Sequence, residues 1–160
     1  MFKLYTTKNE RVYEKVKEVC QIDCEIKRTE NGKPYFEGDP VFFSVSHTGE
    51  TALIAVCDRA VGVDAELIKQ RDFNAILKRF TAREQDEIAL DTLAFLKNWT
   101  AKEAYIKMLG GTLAEDLKRL EYFDGVLCCD GIKADCTLFC AVSDGLVYTV
   151  CVADGNSEIN

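Results

Sequence analysis

The chain has 160 residues, 48% of them hydrophobic and 29% charged, enough for one compact domain or two small halves around a shared core. Lys and Arg number 20 against 27 Asp and Glu, and the net charge of −7 argues against nucleic acid and anionic membranes as partners. No run approaches ~18 apolar residues and residues 1–8 lack an apolar core of signal-peptide length, so neither a membrane span nor a leader is expected.

Residues 2–5 read as a short strand. Over residues 9–20, Val12, Val16, Val19 and Cys20 recur at helical spacing and predict a one-sided helix. Residues 22–27 alternate like a strand. Glu30-Asn31-Gly32-Lys33-Pro34 is a turn, because Asn-Gly accepts positive φ and Pro blocks a helix. Residues 41–46, 51–57 and 60–66 predict three strands, with reversals at Thr48-Gly49-Glu50 and Asp58-Arg59, hence an antiparallel meander. Helices follow. Phe73, Ile76, Leu77 and Phe80 lie on one helical face behind an Asp72 cap, and Thr81-Ala82-Arg83-Glu84 is a capping-box sequence. A longer helix over residues 92–109 stops at Gly110-Gly111, and strands return at 120–128, 132–142 and 146–152. Strands, helices and strands in that order predict an α+β fold.

The eight cysteines form no Cys-x-x-Cys pair, and the single histidine, His47, is distant from them in sequence, so no zinc site is expected. Most lie in apolar runs, where a thiol packs as a small hydrophobe, and they predict free thiols in a reducing cytoplasm; an even count also permits disulfides.

Three segments could carry chemistry. Asp64 and Glu66 are two apart on a strand and present carboxylates on one face, about 7 Å apart. They fit either a solvent-facing edge or a hard cation such as Mg²⁺. Glu103 and Lys107 are neighbours at i,i+4 on the long helix, one turn beyond Trp99. They read as a surface ion pair, or as a third carboxylate and a phosphate-binding lysine. Ser46 and His47, at a strand end beside Gly49, fit a phosphate contact. A Ser-His-Asp hydrolase is disfavoured, because adjacent strand residues face opposite ways and no Gly-x-Ser-x-Gly elbow exists. Lys69, Arg71, Lys78, Arg79 and Arg83 also form a basic stripe, either a solvated face or a dock for an acidic partner.

In order, Phe-Ser-Val-Ser-His-Thr-Gly (43–49), Val-Gly-Val-Asp-Ala-Glu (61–66) and Trp-Thr-Ala-Lys-Glu-Ala-Tyr-Ile-Lys (99–107) resemble the 4'-phosphopantetheinyl transferase superfamily, above all its Sfp-type branch. The resemblance spans about residues 32–110. It implies two pseudo-twofold-related α+β halves, antiparallel sheets packed against helices, with the active site between them. Residues 1–57 would form a shortened N-terminal half and 58–160 a C-terminal half carrying the metal site, within one compact domain. It implies that Asp64, Glu66 and Glu103 hold Mg²⁺, with Glu103 also the base for the incoming serine, and that Lys107 meets the coenzyme A pyrophosphate. Ser46 and His47 would touch coenzyme A phosphate, Lys33 the nucleotide end, and Lys102 would belong to the coenzyme A-binding set; Glu84 matches either a family acid or the capping box.

The implied activity moves the 4'-phosphopantetheine arm of coenzyme A to a serine of an apo acyl or peptidyl carrier protein, releasing adenosine 3',5'-bisphosphate. A cytoplasmic monomer or weak homo-oligomer is expected. The alternative is a non-catalytic relative that binds coenzyme A or the carrier. About 31 residues precede the Gly-Lys-Pro turn, where this branch usually has more, so fewer cations are expected around the 3'-phosphate.

Overall fold

The computed structural model describes residues 1–38, 41–70 and 72–155; Arg71 of the basic stripe lies outside the described residues. The chain begins with β1 (Lys3–Lys8), a 3-10 turn (Asn9–Arg11) and α1 (Val12–Cys20). A small hairpin, β2 (Ile26–Arg28) and β3 (Pro34–Phe36), leads into β4 (Phe42–Thr48) and β5 (Thr51–Cys57). Then come β6 (Val61–Leu67), α2 (Asn74–Leu77), α3 (Ala82–Ile88), α4 (Thr92–Leu109) and α5 (Leu113–Asp116). Strands β7 (Leu120–Phe123), β8 (Val126–Cys129) and β9 (Ile132–Lys133) precede β10 (Cys136–Ser143) and β11 (Leu146–Ala153).

The two main sheets are ordered β1-β5-β4 and β6-β11-β10, antiparallel throughout. In each, the last strand sits between the first and the penultimate, and a helix and a small satellite sheet intervene in sequence. This repeated connection gives two related α+β halves. Val12 and Val16 of α1 close the first core against Phe43 and Ile54. Ala104 and Met108 of α4 close the second against Cys151 and Ala153. Leu53 and Ala55 of β5 join Val61, Val63 and Val150 in one cluster where the halves meet. No helix of the described residues is long and apolar enough to cross a membrane.

The expected meander is corrected at its third strand. β5 pairs with β4, but β6 pairs with β11 rather than with β5. As the edge of its sheet, β6 turns the N–H groups of Val63 and Ala65 outward, and a buried orphan N–H is costly. The hydroxyls of Ser44 and Ser46 on β4 accept from them at 3.0 and 3.1 Å. Side chains therefore replace a backbone ladder at the seam. The expected strands at 120–128 and 132–142 are each split in two. Asp124-Gly125, at φ 49° and 77°, is the left-handed pair of a type I′ turn and divides the first into β7 and β8; Asp130-Gly131, at 50° and 77°, turns β8 into β9, and the second expected strand breaks at residues 134–135 between β9 and β10. The segment expected as a strand at 22–27 pairs only over Ile26–Arg28. The helix expected behind Asp72 is one turn long: Asp72 Oδ1 accepts from the Asn74 N–H at 2.9 Å, and the chain then tightens through Arg79 and Phe80.

Helix α4 spans the predicted residues. Asp91 caps its start, accepting from the Leu93 N–H at 2.8 Å, and Gly110 ends it at φ 73°. The expected turn at 30–34 docks on that end. Asn31 Nδ2 donates to the Gly110 carbonyl at 2.9 Å and Lys33 Nζ to the Met108 carbonyl, so a cation meets the helix C-terminus. At the other face α4 lies directly on β6. A Cβ on Gly62 would fall 1.9 Å from the Ala104 carbonyl oxygen and 2.5 Å from the Met108 nitrogen. Both are backbone atoms, so the helix itself would have to move. Gly62→Ala is expected to cost about 1–3 kcal/mol in urea unfolding, the scale of overpacking. It should also displace Glu103 and Lys107, which α4 carries. An unfolding midpoint equal to wild type would contradict this packing.

Candidate active site

The carboxylates come from two elements held together by Gly62. Asp64 is 5% exposed on β6; its Oδ1 accepts from the Ser46 hydroxyl at 2.8 Å and from Lys107 Nζ at 2.7 Å. Its Oδ2 is buried with no hydrogen-bond donor. Glu66 is held by the Trp99 indole N–H at 3.2 Å, and Trp99 ends an aromatic stack through Phe95 to Phe73. Burial pushes the Glu103 carboxyl up to about 7, with the charges of Asp64 and Glu66 adding to the rise and Lys107 opposing it. Asp64, Glu66, Glu103 and Lys107 are thus one electrostatic unit.

Their fit to a hard cation rests on the orphaned Oδ2 and the three-carboxylate donor set. Among the described residues no three His, Cys, Asp or Glu side chains stand preassembled as a metal cage. The Lys107 ammonium already neutralises Asp64 Oδ1. Mg²⁺ seldom uses an all-protein cage, taking one or two carboxylates together with water and substrate phosphate, so this donor set suits it.

The raised Glu103 carboxyl has a consequence for the metal-free protein. Its folded value lies above its ordinary 4.5, so the folded state binds the proton more tightly. The stabilisation this gives is complete below 4.5 and is lost as pH rises through about 7. Thermal unfolding across that window should show wild type losing stability relative to Glu103→Gln as pH increases. Parallel curves would mean that Glu103 is not desolvated.

Beside this unit is a cleft of about 360 Å³ lined by Tyr13, Arg28, Lys33, His47 and Lys107. Burial lowers the Lys33 ammonium to about 8. Arg28 donates to the Tyr13 hydroxyl at 2.6 Å and the Gly32 carbonyl at 2.8 Å. Three fixed cations and an imidazole facing one small space suit a polyanion such as a phosphorylated nucleotide. Arg28 is one of several N-terminal cations that no motif singles out, and Tyr13 carries no local signal; they reach the cleft from β2 and α1.

Two of the expected ligand contacts take other places. Ser46 is 3% exposed, and its hydroxyl is fully engaged: it donates to Asp64 and accepts from the Ala65 N–H and from Lys107 at 3.2 Å. It orients the site from behind, while His47 faces outward as the strand alternation requires. Lys102 points away from the cleft, about 100° around the helix from Glu103. It is wholly buried against Glu84, at 2.8 Å from Oε2, and lies 3.8 Å from the Phe80 ring centroid. Burial pulls its ammonium down, and the Glu84 carboxylate opposes that shift. Glu84 also accepts from the Thr81 and Tyr122 N–H groups at 2.9 and 2.7 Å. It therefore completes the predicted capping box and joins α3, α4 and β7, outside the active site.

The family model described as the 4'-phosphopantetheinyl transferase superfamily matches residues 60–141. The chain is 37% identical over 92 residues to the 4'-phosphopantetheinyl transferase AcpT of Salmonella typhi, covering 52% of this chain and 48% of that protein. It is 39% identical over 87 residues to the 4'-phosphopantetheinyl transferase psf-1 of Bacillus pumilus, covering 50% and 37%. It is 34% identical over 122 residues to the L-aminoadipate-semialdehyde dehydrogenase-phosphopantetheinyl transferase of Xenopus laevis, covering 61% and 39%. The chain thus spans less than half the length of these relatives. The matched stretch contains Asp64, Glu66, Glu103 and Lys107, the four residues that converge at the seam, and the chain belongs to the 4'-phosphopantetheinyl transferase superfamily.

Proposed function

We propose that this chain transfers the 4'-phosphopantetheine arm of coenzyme A to a serine of an apo carrier protein, with Mg²⁺ and with release of adenosine 3',5'-bisphosphate. The observation that carries the proposal is the buried, donorless Asp64 Oδ2 among Glu66, Glu103 and Lys107, next to a cationic cleft. Residues 1–57 and 58–160 would act as one unit, since the cleft draws on both.

Asp64, Glu66 and Glu103 would hold Mg²⁺, which when bound supplies charge neutralisation at the pyrophosphate. Lys107, 2.7 Å from Asp64 Oδ1, would turn to the pyrophosphate oxygens and stabilise the charge that grows as the phosphoanhydride breaks. The carrier serine hydroxyl would attack the phosphorus bearing the pantetheine arm, in line with the departing nucleotide. Its proton would go to Glu103 or to a water held by the metal. Lys33, Arg28 and His47 would hold the nucleotide end. The exposed Lys78, Arg79 and Arg83, with Lys69, would receive an acidic helix of the carrier. Cys57 and Cys151, buried as thiols, fit a reducing cytoplasm.

Intact-mass analysis of an apo carrier protein incubated with the chain, coenzyme A and Mg²⁺ tests this. The carrier should gain one phosphopantetheine. Phosphate release without carrier modification would favour a hydrolase, and coenzyme A binding without transfer would favour the non-catalytic relative.

A further inference from the structure

We propose that Asn9 is a positioning residue that fixes the tautomer and direction of the His47 imidazole in the cationic cleft. Asn9 Nδ2 donates to the Gly49 carbonyl at 2.9 Å, and the Asn9 N–H donates to the Glu50 carbonyl at 3.1 Å. A backbone carbonyl only accepts, so the amide has one orientation, with Nδ2 on Gly49 and Oδ1 turned to the ring. Oδ1 lies 2.9 Å from His47 Nδ1. An amide oxygen also only accepts, so Nδ1 must carry the proton. His47 makes no hydrogen bond through Nε2 to any described residue, and the ring lines the cleft with Arg28, Lys33 and Lys107. Nε2 is left to meet the ligand.

The contact crosses 38 residues of sequence and joins the end of β1 to the β4–β5 hairpin. Without it, the exposed ring would rotate about χ1 and χ2, and either nitrogen could take the proton. Asn9 thus holds one ring nitrogen at a fixed place before the ligand arrives, which lowers the ordering cost of binding. The consequence for coenzyme A rests on the reading that His47 meets that ligand.

His47 is the chain's only histidine, so its imidazole ¹⁵N signals need no assignment by elimination. At a pH where the ring is neutral, wild type should show a protonated Nδ1 and a pyridine-like Nε2. Asn9→Ala should return the ring to a mixture in which Nε2–H is the major form. Asn9→Asp keeps an acceptor for Nδ1–H but loses the donor to Gly49, so it should retain the wild-type tautomer. That variant separates holding the ring from clipping the hairpin. In coenzyme A titrations Asn9→Ala should bind roughly three- to tenfold more weakly, the scale of one hydrogen bond, and Asn9→Asp should recover most of the loss. A wild-type tautomer in folded Asn9→Ala, or loss of the Nδ1–H form in Asn9→Asp, would overturn the proposal. A tautomer that switches as expected while wild type itself binds no coenzyme A would leave Asn9 in this role and remove coenzyme A as the ligand.

Discussion

Asp64→Asn is expected to lower carrier modification at least ~10²-fold while leaving the protein folded. The substitution keeps the side chain's shape, and its amide oxygen can still accept from Ser46 and Lys107 in place of Oδ1. What changes is the second atom. An amide nitrogen replaces the buried, donorless Oδ2, so a position built to accept becomes one that donates. The charge that balances Lys107 and a bound cation is removed with it. Asp64→Ala should lose as much activity and some stability too, because the Ser46 hydroxyl and Lys107 would lose their shared acceptor. Intact-mass kinetics and urea unfolding on both variants separate the two effects. Full transfer by Asp64→Asn, or by wild type in excess EDTA, would exclude a metal held at Asp64.

The second large effect is expected far from any ligand. Lys102→Met should destabilise the chain by about 3–5 kcal/mol, because it strands the Glu84 carboxylate in the core. Both side chains have no solvent exposure, and Glu84 also ties down the Thr81 and Tyr122 N–H groups. Glu84→Gln in the same chain should recover part of that loss, since a neutral amide can keep one of the backbone contacts without a buried charge. Recovery should be incomplete, as the amide oxygen cannot serve both N–H groups as the carboxylate does. Urea unfolding of the two single variants and the double variant gives the coupling directly. A Lys102→Met stability within about 1 kcal/mol of wild type would mean that the pair is solvated or neutral.

The residues most legible in the sequence are those whose signal is local. Helix α4 follows its Asp91 and Gly110 ends, the capping box at Thr81 forms as written, and Asp64 and Glu66 leave the same strand. Less legible is whatever depends on a partner distant in the chain. Asp64 had the pattern of an edge residue and is buried, because β4 and α4 cover β6 on both sides. Lys102 sits within a functional motif, yet its partner is 18 residues away on another helix. One overlooked signal was local: Asp124-Gly125 is a type I′ turn sequence that divides the strand expected at 120–128. The alternation of Ser44, Ser46 and Thr48 on β4 was another, since three polar residues on one buried face require donors or acceptors opposite them.

That alternation also sets a spacing rule for the whole site. His47 rides on β4, and Asp64 and Glu66 ride on β6, and the serine hydroxyls fix how far one strand has slid along the other. A slip of one residue would turn Val45 and His47 toward β6 and leave two outward N–H groups facing hydrocarbon or an imidazole. A slip of two would restore the hydroxyls but carry His47 about 7 Å from its place beside the carboxylates. The span between the imidazole and the β6 carboxylates is therefore quantised, like a notched rule, and a lineage could retune it only in whole notches, by inserting or deleting residues in pairs.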